Sequence, residues 1–565
     1  MSAARLRPLS ALILLLASPW LGALQPAEGG AADTSAADRA LLAGDCKGAV
    51  EGYLAAGLLD RNPRVIERAV EVARACRHLP AASRAADRLL ELDGENVESL
   101  RLVGLIALET WRLDLARRVY RDLLAKPDVE PERALADILP EIAEGDAAPA
   151  GWLVFKEIID RQTAAARTLA TLARIACSAD DIGNCLELIA AARSKDGGND
   201  ARTIRLAAAA AAARGDAERA LAEAELVAQG DPENHRFARI ETLITLDRLD
   251  EAREALLAIE KDPTPGNGRA AVDADRRLAL LALSSGDEVE AERRFGARLS
   301  RDRGAGEAIY YLSIIAERRG RKDVALQGYR QLIAAGVGLP PRVRAARLLL
   351  ERGERDEALK FFDELQKGGR TDAIEVEIAR SRALLDAGFG SEAIASVDAA
   401  LERYPSHPAL LYHRAVLLDG AGRTREGVRV FEALLEQRPG DGNVLNALGY
   451  TLADRKQQLP RAERLIREAL MQRPDSAAFL DSLAWVRFRR GDRATALPLL
   501  ERAWRVSREP EIAAHWGEVL WASGEKTQAR VVWARALAIA PDSKPLRSTV
   551  ERLAGSIELG VPGTP

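Results

Sequence analysis

Five histidines and four cysteines are the residues of this 565-residue sequence most able to do chemistry. Neither set has the spacing that chemistry asks for. His78, His235, His407, His413 and His515 are scattered, with no HExxH pair to grip a zinc ion from one helix face. All five read as ordinary surface histidines. No GxSxG elbow presents a serine nucleophile, and no GxxxxGK[ST] loop cradles a phosphate. The glycine pairs at Gly388–Gly390 and Gly420–Gly422 follow no strand, so a phosphate-binding reading fails on context. With 85 Asp and Glu, carboxylate neighbours on helix surfaces arise by chance and read as solvated faces. No catalytic residue, metal ligand or cofactor is expected.

The cysteines are Cys46, Cys76, Cys177 and Cys185, with no CxxC pair. Their even number and local grouping make Cys46–Cys76 and Cys177–Cys185 candidate disulfides in an exported protein, with buried free thiols the equal alternative. Export is suggested by the opening MSAARLRPLSALILLLASPWLGAL. Arg5 and Arg7 precede the apolar run Leu9–Leu16, and the small residues Gly22 and Ala23 follow. That order is expected of a secretory signal peptide over residues 1–23, whose removal leaves no transmembrane span; an uncleaved anchor helix is the other reading. The first cysteine is Cys46, so no lipid-anchored N-terminus is expected. Residues 24–35 read as a flexible lead-in.

The elements that any site would sit on follow from composition and period. Hydrophobic residues make up 47% of the chain but aromatics only 4%, so Ala, Leu, Val and Ile dominate and helices are favoured. The charges, 81 Lys and Arg against 85 Asp and Glu, nearly cancel, which argues against a nucleic-acid partner. A small residue then recurs through the C-terminal half, with Gly seven positions on, Ala twelve and nineteen on, and Pro twenty-four on. Ser381, Gly388, Ala393, Ala400 and Pro405 fit, as do Gly517, Gly524, Ala529, Ala536 and Pro541. The leading small residues stand at Ser381, Ala415, Gly449, Ala484 and Gly517, a period near 34. Gly suits the end of a first helix, Pro ends a second, and the small residues mark where the two helices come closest. Phe431 and Trp533 are read as rings filling the gap to the next unit.

Carried back through Ala346, Ser313, Ala279, Ile240, Ala208, Ala173, Ile138, Gly104, Ala69 and Ala37, the period predicts about fifteen units. Degenerate units are expected over 36–261, better ones over 269–543, a capping helix over 544–558 and a disordered tail over 559–565. The break DPTPGNG at Asp262–Gly268 reads as a hinge between two arms.

This pattern resembles the tetratricopeptide repeat family. The resemblance implies an all-α, right-handed superhelix (a solenoid) of tandem helix-turn-helix repeats, whose concave face is lined by the first helix of each unit and binds other proteins. The family's inner-face positions fall on Asn446, Tyr450 and Asp454, then Asp481, Trp485, Phe488 and Arg489, then Glu518 and Trp521. Five of the eight tryptophans, Trp485, Trp504, Trp516, Trp521 and Trp533, lie beyond residue 480. Aromatic and polar groups on a concave wall have the composition of an interface hot spot; packing between successive first helices is the alternative. Trp516 and Trp533 are assigned to internal packing.

Residues 444–492, VLNALGYTLADRKQQLPRAERLIREALMQRPDSAAFLDSLAWVRFRRGD, are similar to a block in exported proteobacterial tetratricopeptide proteins, including the adaptor of a carboxyl-terminal processing protease. That resemblance implies a periplasmic adaptor that brings the protease to peptidoglycan hydrolases. A scaffold in an envelope secretion or exopolysaccharide export complex is the alternative. Self-association through a terminal unit is a further expectation.

Overall fold

The computed structural model describes residues 34–195, 200–230, 235–264, 268–301, 305–368, 373–541 and 543–555. The leader over 1–23, nearly all of the lead-in and the 559–565 tail lie outside them. Among the described residues there are 31 α-helices and no strand. Thirty alternate as first and second helices of fifteen antiparallel hairpins, from Ser35–Leu42 to Lys526–Ile539, and Lys544–Ala554 caps the last. No described helix is long and apolar enough to cross a membrane.

Each hairpin forms because small residues let its two helices approach. A Cβ added to Gly517 would sit 1.9 Å from the Trp533 Nε1, and one added to Gly449 would sit 2.6 Å from the Ile466 Cγ1. Ala346, Ser381, Ala415 and Ala484, at the same place in their units, are wholly buried. Trp533 and Phe431 are buried too, and both meet rings of their own unit, Trp521 at 5.7 Å and Tyr412 at 5.5 Å. Internal packing of Trp533 was expected; the ring fills the space Gly517 leaves open.

The turn between the two helices uses a left-handed residue. Gly388, at φ +91°, donates its N–H to the Leu385 carbonyl, and Phe389 donates to that of Leu384. This closes the first helix with the paired bonds of a Schellman turn, which glycine enters without a Cβ penalty. Four degenerate units put Arg77, Trp111, Asp180 and Asp247 into that slot, at φ +54°, +57°, +50° and +61°. Hence the N-terminal half keeps the turn while losing its glycine signal.

The cysteines are joined as Cys46–Cys76 and Cys177–Cys185. Of the two readings open from sequence, disulfide and free thiol, the structure has the first. Apolar side chains form long clusters over Ala37–Ala210 and Ala279–Leu418, and between them the core divides into two smaller clusters, one of Ala211, Ala212 and Ala220 with Leu246 and one running from Ile240 to Leu281. Across the expected hinge, whose residues 265–267 lie outside the described ones, helix Leu249–Lys261 packs on Gly268–Ser284.

Candidate protein-binding wall

Three consecutive first helices, Gly442–Asp454, Ala477–Arg489 and Pro510–Ala522, carry the candidate residues. The first starts sharply because the Asp441 carboxylate caps the Asn443 N–H at 2.9 Å, and the third because Pro510 opens it. Spacings of four and eight bring Asn446, Tyr450 and Asp454 onto one stripe. Asp481, Trp485 and Arg489 do the same on the next helix, with Phe488 beside them.

The structure brings these stripes together through a residue assigned from sequence to the ordinary surface. His515, only 7% exposed, points back from the third helix into the second. Its Nδ1 lies 2.9 Å from both oxygens of Asp481, its ring stacks on Trp485 at 4.0 Å, and its Nε2 is 3.5 Å from the Tyr450 hydroxyl. Burial alone would push the His515 imidazole down, but the Asp481 carboxylate, with Glu511 and Glu518, outweighs it and holds the pKa above the ordinary value. Tyr450 donates to Glu511 at 3.3 Å, and burial beside Glu511, Asp454 and Asp481 pushes its phenol well above its usual range.

Trp485 is therefore a packing residue. It is 3% exposed, donates from Nε1 to Asp454 at 3.3 Å, lies 5.4 Å from the Phe488 ring and has the Arg489 guanidinium 4.4 Å from its own ring. Asp481 is likewise buried under His515. Arg489 is bound to the Asp454 carboxylate at 3.1 Å. Asn446, Tyr450, Asp454, Phe488, Arg489 and Trp521 are half-buried, with an edge of each accessible. Trp521 is flanked by Lys526 and Arg530 at 5.1 and 5.7 Å from its ring. The Asn446 Oδ1 is buried and makes no hydrogen bond.

His407 and His413 also depart from the surface reading, both being buried. Ser381 and His413 form a pair at 2.9 Å that has the look of a nucleophile and base. The hydroxyl, however, is wholly buried and gives its proton to the Glu377 carbonyl at 2.7 Å. The imidazole Nε2–H must then donate to Ser381 Oγ, the reverse of a general base. Burial, helped by Arg382, pushes the His413 pKa down to about 4, so the ring is neutral and structural. No group of three or more potential metal ligands occurs among the described residues.

The wall had a legible signal: Asp481 and His515 are 34 residues apart, one period, and in a solenoid such residues face each other on successive helices.

Residues 378–423 and 415–478 match the tetratricopeptide repeat family. The TPR repeat-containing protein PA4667 of Pseudomonas aeruginosa is 31% identical over 211 residues, covering 37% of this chain and 36% of that protein. The match thus spans little more than a third of that relative's length. Among solved structures, yeast Tom70 covers 81% of this chain and 95% of its own at 13% identity and a TM-score of 0.36. A thermophilic tetratricopeptide protein of Thermus thermophilus, TTC0263, covers 32% and 98% at 21% identity and 0.29. The fold assignment rests on the helices themselves. The stretch 378–478 that matches the tetratricopeptide repeat model is set within an array of helical hairpins that runs from Ser35 to Ile539.

Proposed function

We propose that this chain is an exported, non-enzymatic protein-binding scaffold that seats a partner on the wall of helices Gly442–Asp454, Ala477–Arg489 and Pro510–Ala522. In its most concrete form it is a periplasmic adaptor that brings a carboxyl-terminal processing protease to peptidoglycan hydrolases. The observation that carries the binding role is the wall's rigid, half-open chemistry. Tyr450, Phe488 and Trp521 offer ring edges, Asp454 and Arg489 offer charge, and the buried network of Trp485, Asp481 and His515 holds them in place. Rigid aromatic edges among polar groups bind at low entropic cost.

The location is supported by the two disulfides, which persist in oxidising compartments, and by the signal-like order of residues 1–23. The protease role rests on the likeness of residues 444–492 to the adaptor block. A long array also has room to hold enzyme and substrate together, raising their effective concentration.

Affinity capture from the native envelope extract tests this, with an Asn446→Ala/Trp521→Ala variant beside the parent. A processing protease and wall hydrolases retained by the parent and lost by the variant are the expected result. Recovery of porin or export components alone would replace the adaptor with an export scaffold.

A further inference from the structure

The array returns on itself. Asp180, in the turn between helices Ala166–Ser178 and Ile182–Arg193, meets Arg473, 293 residues later. Its carboxylate accepts from Arg473 Nε at 3.0 Å and from the terminal nitrogen at 2.5 Å. The Asp475 N–H donates to the Asp180 carbonyl at 2.9 Å, and the Ile182 N–H donates to the Asp475 carboxylate at 3.0 Å. Arg502 closes the cluster by pairing with Asp475. On either side of it Trp111 lies against Gly440, where a Cβ would come 3.0 Å from the indole, and Asp247 pairs with Arg508 at 3.5 Å.

These three turns share a feature. Trp111, Asp180 and Asp247 are non-glycine residues in the left-handed slot that Gly388, Gly422, Gly491 and Gly524 fill in the C-terminal units. A side chain there is strained, so each unit gives up local stability at that position. What the side chain gains is a contact across the seam between successive superhelical turns. Arg77, in the same slot, pairs locally with Asp146 instead.

The central turn is also stapled. Cys177 lies in the last turn of the helix before Asp180 and Cys185 in the first turn of the helix after it, and they are bonded. We propose that these turns are a latch closing the superhelix on itself, and that the Cys177–Cys185 disulfide holds the latch shut until a dithiol reductant opens it. The cross-link confines residues 179–181 to the left-handed turn that aims the Asp180 carboxylate, its carbonyl and the Ile182 N–H across the seam. Reduction breaks the sulfur–sulfur bond, places two electrons and two protons on the cysteine sulfurs, and releases the dithiol as its own disulfide. Cys177 is a half-buried residue, the side from which a dithiol would approach, and Cys185 is fully buried. The freed turn then relaxes its strained residue and the seam parts, whatever partner the wall takes.

Hydrogen exchange at two amides reads the latch directly. Ile182 opens its helix and Asp475 lies in a loop, so neither N–H has an acceptor within its own helix. The full mature chain is compared as the Cys46→Ser/Cys76→Ser variant, where Cys177–Cys185 is the remaining disulfide, before and after dithiothreitol. Asp180→Gly and Arg473→Gln are added in the oxidised chain; glycine is the residue other units use in that slot, so its hairpin folds. Both amides are expected to be protected in the oxidised parent and to exchange roughly ten- to hundredfold faster after reduction or in either variant. Amides inside Ala166–Ser178 should stay slow. Fast exchange in the oxidised parent, or full protection in Asp180→Gly, would overturn the latch. Protection that survives dithiothreitol but not Asp180→Gly would overturn its redox control.

Discussion

Replacing Trp485 by alanine should cost the C-terminal units about 3–5 kcal/mol. The figure can be worked from the structure. The indole is 97% enclosed, since 3% of it is exposed. A tryptophan buries at most about 250 Å² and an aromatic at least about 150 Å². At about 25 cal/mol per Å² that is roughly 4–6 kcal/mol. A partly compact unfolded chain takes back about 10–40% of it. The variant also loses the Nε1 bond to Asp454, the Arg489 contact and the surface on which His515 stacks. Because a solenoid's stability is a sum over units and their interfaces, the loss is local, and a single melting temperature would blur it. Site-resolved hydrogen exchange is the suitable assay. Protection should fall in helices Gly442–Asp454, Ala477–Arg489 and Pro510–Ala522 while Pro63–Ala75 keeps its own. Unchanged protection in all four would mean that Trp485 is a removable surface ring, and the packing argument would fail.

Of the three buried histidines, His413 and His515 should act in opposite directions on pH. His413, with its pKa lowered from 6.5 to about 4, contributes fully above 6.5 and destabilises its units as pH falls toward 4. The shift corresponds to about 3 kcal/mol, and His413→Gln should flatten that part of the unfolding profile. His515, with its pKa raised, contributes fully below 6.5 and loses that contribution as pH rises through its folded value. A His515→Asn profile parallel to the parent's on the alkaline side would count against the Asp481 pairing. Gly517→Ala should destabilise the last hairpin by about 1–3 kcal/mol in denaturant titration, because its Cβ has the Trp533 ring in its way. Removing the Cys46–Cys76 bridge should cost the N-terminal hairpins about 2–4 kcal/mol, seen as faster proteolysis of that end.

The hairpin and its period were legible because each unit must solve the same packing problem with the same small residues. Ser381, Ala415, Gly449, Ala484 and Gly517 announce it at one-period steps. The N-terminal units were harder, since Trp111, Asp180 and Asp247 replace the glycine that marks the turn. The inner stripe could be placed on its helices but not read for depth: Trp485 and Asp481 sit on the expected positions yet are closed over by His515. That enclosure depends on how far one first helix leans on the next, which no local pattern encodes. Contacts such as Asp180 with Arg473 lie further out of reach, because they follow from the pitch of the whole superhelix.

The wall's role in binding is tested most directly by mapping exchange protection on this chain with a purified carboxyl-terminal processing protease bound. New protection confined to Gly442–Asp454, Ala477–Arg489 and Pro510–Ala522, and absent from the complex with Asn446→Ala/Trp521→Ala, is the predicted result. Saturating binding that leaves those helices unchanged, with protection on second helices such as Leu459–Gln472 instead, would contradict it.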